Sequence, residues 1–109
     1  MNTIIPIITN QRLTPYRIGT SDKIQIKTQV FSDNKGSLSY LPNLPVELYL
    51  NYSGDWSLAE AGITNNQGIC TLYHECTNIS GIAGFLAKSI VTVHGSGYIS
   101  NITKINLSN

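Results

Sequence analysis

The sequence predicts an all-β fold, a Greek-key sandwich of about seven strands, and three observations predict it. Apolar and polar residues alternate at period two through several short runs. Clusters of Gly, Asn, Asp and Ser punctuate those runs at intervals of about eight to twelve residues. No segment carries the 3.6-residue apolar period of an amphipathic helix.

The elements follow in chain order. Thr3 to Thr9 is β-branched and apolar but contains Pro6, which an edge strand tolerates and a central strand does not. Residues 1–20 therefore read as an edge strand or an arm. The segment either packs on its own sheet or completes a neighbour's sheet by strand addition. Residues 21–109 form the sandwich. Asp22 to Phe31 places Ile24, Ile26, Thr28 and Val30 on one face and Lys23, Gln25, Lys27 and Gln29 on the other. Ser32 to Gly36 is a turn, and Ser37 to Asn43 is a polar crossing that contains Tyr40.

Pro45 to Leu72 is the most informative stretch. Val46, Leu48, Leu50 and Tyr52 alternate with Glu47, Tyr49 and Asn51, so the first four face the core. Ser53-Gly54-Asp55 turns the chain, Trp56-Ser57-Leu58 restarts the alternation, and Asn65 to Gly68 turns it again. Ile69 to Glu75 extends until Thr77 to Gly81 breaks it. Phe85 to His94 then presents Phe85, Ala87, Ser89, Val91 and Val93 inward. Gly95-Ser96-Gly97 makes a hairpin, and Tyr98 to Leu107 returns with Ile105 and Leu107 inward.

The order Pro, alternating strand, Gly54-Asp55-Trp56, Thr64-Asn65-x-x-Gly68 and short apolar strand resembles the bacterial immunoglobulin-like domains of surface adhesins and phage virions. Gly84 to Ala87 and Val93 to Tyr98 are similar to that family's last hairpin, so the likeness covers roughly Lys23 to Leu107. It implies an immunoglobulin-like sandwich, with Cys70 and Leu72 facing the core and a switch between sheets near Ser37 to Asn43. Such a fold hosts many unrelated activities.

Length and composition set limits. A chain of 109 residues is the size of one domain, with an expected radius of gyration of about 13 Å. Charged residues make up only 12%, about half the usual share, so the exterior is rich in amides and hydroxyls. A net charge of +1 with scattered Lys and Arg lacks the clustered basic face that nucleic acid requires. No apolar run approaches the roughly 20 residues of a membrane span. Met1 to Ile8 has no basic leader and no small-residue cleavage site. The expectation is a chain that stays in the cytoplasm until assembly, or one cut from a longer exported parent.

Cys70 and Cys76 lie six apart on one strand, about 20 Å between Cα atoms if it is straight, too far for a disulfide. Free thiols suit a reducing compartment. Cys70, His74 and Cys76 share one strand face, yet they diverge by more than about 13 Å, so no zinc site is expected. The turns at Asp33 and Asp55 lack the run of oxygen ligands that calcium needs. The six acids form no catalytic pair, and neither a phosphate-cradling Gly loop nor a nucleophile elbow is present. No catalytic, cofactor or metal residue is therefore assigned. The Asn-x-Ser/Thr triplets at Asn51, Asn78, Asn101 and Asn106 follow from composition.

What is left is contact. Tyr49 and Tyr73 fall on outward strand positions, and Tyr16 and Tyr40 fall in connections. Exposed Tyr suits protein interfaces, and its ring face also suits a surface glycan. Trp56 is expected in the core or at its rim. The expected function is non-enzymatic: a structural module decorating a phage capsid or similar assembly, with a virion-surface location and protein partners. The alternatives are one repeat of a cell-surface adhesin and a carbohydrate-binding module.

Overall fold

The computed structural model describes residues 3–12, 21–52, 54–77 and 84–106. Among them run nine strands: β1 (Thr3–Arg12), β2 (Ser21–Asn34), β3 (Ser37–Tyr40), β4 (Pro45–Asn51), β5 (Trp56–Ile63), β6 (Ile69–Thr77), β7 (Gly84–Val93), β8 (Ser96–Ile99) and β9 (Thr103–Asn106). They build two antiparallel sheets packed face to face. In the first sheet β2 is central, with β1 on one side and β3 and β6 end to end on the other. In the second the order is β5, β4, β7, with β8 and β9 end to end beyond β7. The sandwich is open, not a closed barrel.

Alternation at period two decided which residues meet. Ile8, Ile24, Ile26, Leu48, Leu50, Phe85, Ala87 and Ile105 form one buried cluster. Val30, Val46, Cys70 and Val91 form a second, with Leu72 half-buried against both. Each large aliphatic in these clusters contributes about 1.5–3 kcal/mol on burial. Ser89 is fully buried, and its hydroxyl has no partner.

Three expected elements differ in detail. Ser37 to Tyr40 is not part of the crossing but a strand hairpinned onto β2, because Lys35 (φ 55°) and Gly36 (φ 89°) take the left-handed conformations of a two-residue turn. The switch between sheets is confined to Leu41 to Leu44. His94 (φ 49°) is likewise a turn residue with Gly95 (φ 81°), so Ser96 and Gly97 pair with Val93 and Thr92 instead of forming the turn. The last strand is broken between Ile99 and Thr103, where Ser100 Oγ replaces a backbone acceptor for the Ser89 N–H at 2.9 Å. Leu107, expected to face inward, lies outside the described residues.

β1 pairs with β2 along its full length and puts Ile8 in the core. Asn101, in the break of the last strand, clamps this edge. Its Oδ1 accepts from the Ile8 N–H at 3.0 Å and its Nδ2 donates to the Ile8 carbonyl at 3.3 Å. One carboxamide thus stands in for a neighbouring strand and joins the two sheets.

The Thr64 to Gly68 motif is a turn braced by its own side chain. Asn65 Oδ1 accepts from the N–H groups of Gln67 and Ile69 at 2.9 and 3.1 Å. Gly68 sits at φ 71° where β3 and β6 meet beside β2, and its N–H donates to Asn65 O. The molecule measures 48 × 25 × 21 Å, with a radius of gyration of 14.8 Å. That exceeds the expected value because the 14-residue β2 alone spans about 46 Å.

Candidate contact surfaces

The faces of the two sheets differ, and strand register sets what each presents. On the outer face of the second sheet, Tyr49 of β4 lies between Leu58 of β5 and Lys88 of β7, and Asn51 between Trp56 and Leu86. Glu47 lies between Ala61 and Ile90, and Ile90 in turn neighbours Ile99 of β8. A bulge at Ala59, opposite the Leu48/Tyr49 step, keeps both Leu58 and Ala61 on this face. Leu58 (54% exposed), Ile63 (65%) and Ile99 (61%) are its most open aliphatic groups, with Leu86 less open beside them.

Glu47 and Lys88 on this face are engaged within it. The Tyr49 hydroxyl donates to Glu47 Oε1 at 3.4 Å, and the Lys88 ammonium sits 4.3 Å from the Trp56 ring centroid. Desolvation first, then the Glu47 charge and hydrogen bond, hold the Tyr49 phenol above its ordinary range. The face is largely aliphatic and aromatic, with Glu47 and Lys88 turned onto neighbours.

The outer face of the first sheet is split along its length. Its upper half carries Leu38 and Tyr40 of β3, Phe31 of β2 and Ile5 and Ile7 of β1, with Phe31 and Tyr40 rings 5.5 Å apart. Its lower half carries Thr9, Lys27, Thr71, Gln25 and Tyr73. Gln25 Nε2 donates to the Tyr73 hydroxyl at 3.2 Å, and Lys23 lies 5.5 Å from that ring. Between the halves is a shallow depression of about 110 Å³ lined by Ile7, Thr9, Lys27, Gln29 and Ile69.

A third feature joins the facing edges of β5 and β6. His74 Nδ1 is 3.1 Å from Glu60 Oε2, and its Nε2 is 3.2 Å from the Tyr52 hydroxyl. A carboxylate can only accept, so in the neutral imidazole Nδ1 carries the hydrogen and Nε2 accepts from Tyr52. Tyr52 also packs on Phe85, ring centroids 4.5 Å apart. These two hydrogen bonds tie one sheet edge to the other. Sequence reading missed them; the signal was a histidine in the same parity as Cys70 and Leu72, an inward position that requires polar partners.

The remaining expectations resolve residue by residue. Tyr52, expected inward, is 38% exposed beyond the end of β4. Trp56 is half-buried on the outer face, not in the core. Tyr49 and Tyr73 do lie on outer faces, and Tyr40 belongs to β3. Tyr16 and the Asn78 triplet lie outside the described residues. Cys70 is buried and free, and burial pushes its thiol up. It faces the upper cluster, whereas His74 faces Glu60 and Tyr52. β6 runs unbroken from Ile69 to Thr77, which holds the backbones of Cys70 and Cys76 apart. Asn51 Oδ1 accepts from the Gly54 N–H at 2.7 Å, Asp33 Oδ1 from the Gly36 N–H at 2.8 Å, and both serve turns. Among the described residues no helix is long and apolar enough to cross a membrane. No protein-family model and no curated protein matches this chain by sequence.

Proposed function

We propose that this chain is a non-enzymatic decoration protein with an immunoglobulin-like fold, seated on a phage capsid or similar protein shell through the outer face of its second sheet. The observation that carries the reading is that face: Leu58, Ile63 and Ile99 stand open while Glu47 and Lys88 are turned onto Tyr49 and Trp56. Apolar area with internally engaged charge is well suited to burial against protein, because little desolvation of free ions opposes it. The strand order supports the fold assignment. β1-β2-β6 facing β5-β4-β7 with β8 and β9 resembles an immunoglobulin arrangement in which an extra strand joins the sheet of the last hairpin. The inter-sheet disulfide of antibody domains has no counterpart, since Cys70 is free. A virion-surface location follows from the proposal.

Co-sedimentation with assembled capsid shells tests it. Wild-type chain is expected to pellet with the shells, and Leu58→Glu and Ile99→Glu to reduce that binding at least tenfold while keeping the wild-type melting profile. Failure of the wild type to bind any shell overturns decoration. Unchanged binding by both variants overturns the choice of face.

A further inference from the structure

We infer that the outer face of the first sheet is a self-complementary docking surface for a second copy of this chain, related by a two-fold axis lying across the Ile7–Gln29–Ile69 row. This does not depend on what the opposite face binds. Register supplies the construction. Ile7, Gln29 and Ile69 are cross-strand neighbours, and together they line the depression.

An in-plane axis through that row reverses the strand direction of the second copy, the closed arrangement most common among dimers. Ile7 and Ile69 then meet their own counterparts and fill the depression. Positions two residues to either side of the row exchange, so Phe31 lies over Lys27 of the other copy and Tyr40 over its Thr71. Four residues out, Leu38 lies over Tyr73. The Lys27 ammonium has no hydrogen bond or ion pair to another described residue. Tyr40 is 53% exposed and Leu38 61%. Lys27 thus meets the Phe31 ring beside Tyr40, and Leu38 meets the Tyr73 ring at the far end. An apolar half laid over a polar half gives the surface its complement in itself.

Size decides the strength. Three strands at about 4.8 Å spacing and ten residues at about 3.3 Å give a footprint of roughly 480 Å². Stable complexes bury about 800 Å² per partner. The pair is therefore weak and concentration-dependent, and is reinforced where copies are held side by side.

Sedimentation velocity at increasing protein concentration tests this. The wild type is expected to shift from monomer toward dimer. Ile7→Glu and Lys27→Glu are expected to weaken the shift at least tenfold without changing the melting profile, and Leu58→Glu on the opposite face to leave it intact. In a Cys76→Ser background, Ile7→Cys is expected to give a covalent dimer with a short bismaleimide, which spans the roughly 10 Å between facing sheets, and Thr3→Cys, far from the axis, to give none. A chain that stays monomeric at every concentration overturns the proposal. So does a dimer broken by Leu58→Glu instead of Ile7→Glu, or one in which Ile7→Cys does not cross-link.

Discussion

Thr64 holds the sheet-switching segment by its hydroxyl, which donates to the Leu41 carbonyl at 2.7 Å and accepts from the Leu44 N–H at 2.9 Å. Its backbone bonds the same segment, N–H to Leu44 O at 3.0 Å and carbonyl from Asn43 N–H at 2.9 Å. The residue is 2% exposed, so these groups have little access to water. The chain changes sheets at a fixed place because one buried threonine satisfies the backbone that the change would otherwise strand.

Thr64→Val keeps the shape and removes both side-chain bonds. A part-buried N–H and a part-buried carbonyl lose their partner, at a cost of about 2–4 kcal/mol for the two together. Urea unfolding is expected to show a lower midpoint with an unchanged slope. A midpoint equal to wild type would mean that water replaces the hydroxyl.

Gly68 and Gly54 separate two causes of glycine dependence. Both have positive φ, 71° and 112°. A Cβ on Gly68 would lie 2.7 Å from the Val30 carbonyl and 3.0 Å from the Leu41 nitrogen, whereas one on Gly54 meets nothing within 4 Å. Gly54→Ala is expected to cost about 1–2 kcal/mol, the conformational penalty alone. Gly68→Ala adds a backbone collision at the β3–β6 junction, and its loss in thermal stability is expected to be clearly the larger. Equal losses would show that the junction relaxes freely.

Ser89 runs the other way. Its hydroxyl is buried with no partner, while its N–H is held by Ser100 Oγ. Ser89→Ala removes the orphan group and leaves the backbone bond. Stability is expected to rise by about 1–2 kcal/mol, seen as a higher melting temperature. A lower melting temperature would mean that packing of the hydroxyl outweighs its desolvation.

Cys70 makes stability fall at alkaline pH. Burial raises its thiol pKa in the folded chain, so the folded state retains a proton that the unfolded state releases. The contribution is intact below the ordinary thiol range and is lost as pH rises from that range through the raised folded value. Urea midpoints measured upward from pH 7 are expected to be flat and then to decline. Cys70→Val should flatten that part of the decline, and an unchanged slope would assign it elsewhere. In the native state at pH 8 the thiol is expected to resist alkylation until the chain unfolds.

Much of the molecule was legible in the chain itself. Ile24, Ile26, Val30, Val46, Leu48, Leu50, Phe85, Ala87, Val91 and Ile105 were placed inward by parity alone, and all are buried. That worked because a strand has a rigid two-residue period, so local order suffices to say which side a residue takes. The turn at Thr64 to Gly68 was visible for the same local reason. What each turn residue does beyond its turn was not.

Tertiary structure decided the rest, because each remaining feature depends on the distance between strands remote in sequence. His74 finds Glu60 and Tyr52, and Asn101 finds Ile8 across 93 residues, only once the sheets have been stacked. Trp56, read as core or rim, lies on the outer face because a bulge in β5 resets the alternation. The contact faces depend on register too: Ile99 shares parity with the buried Ile105 yet lies outward because the strand breaks between them, and only pairing says which neighbours stand beside Ile7 and Leu58. Inside and outside are properties of one strand, and a surface is a property of several.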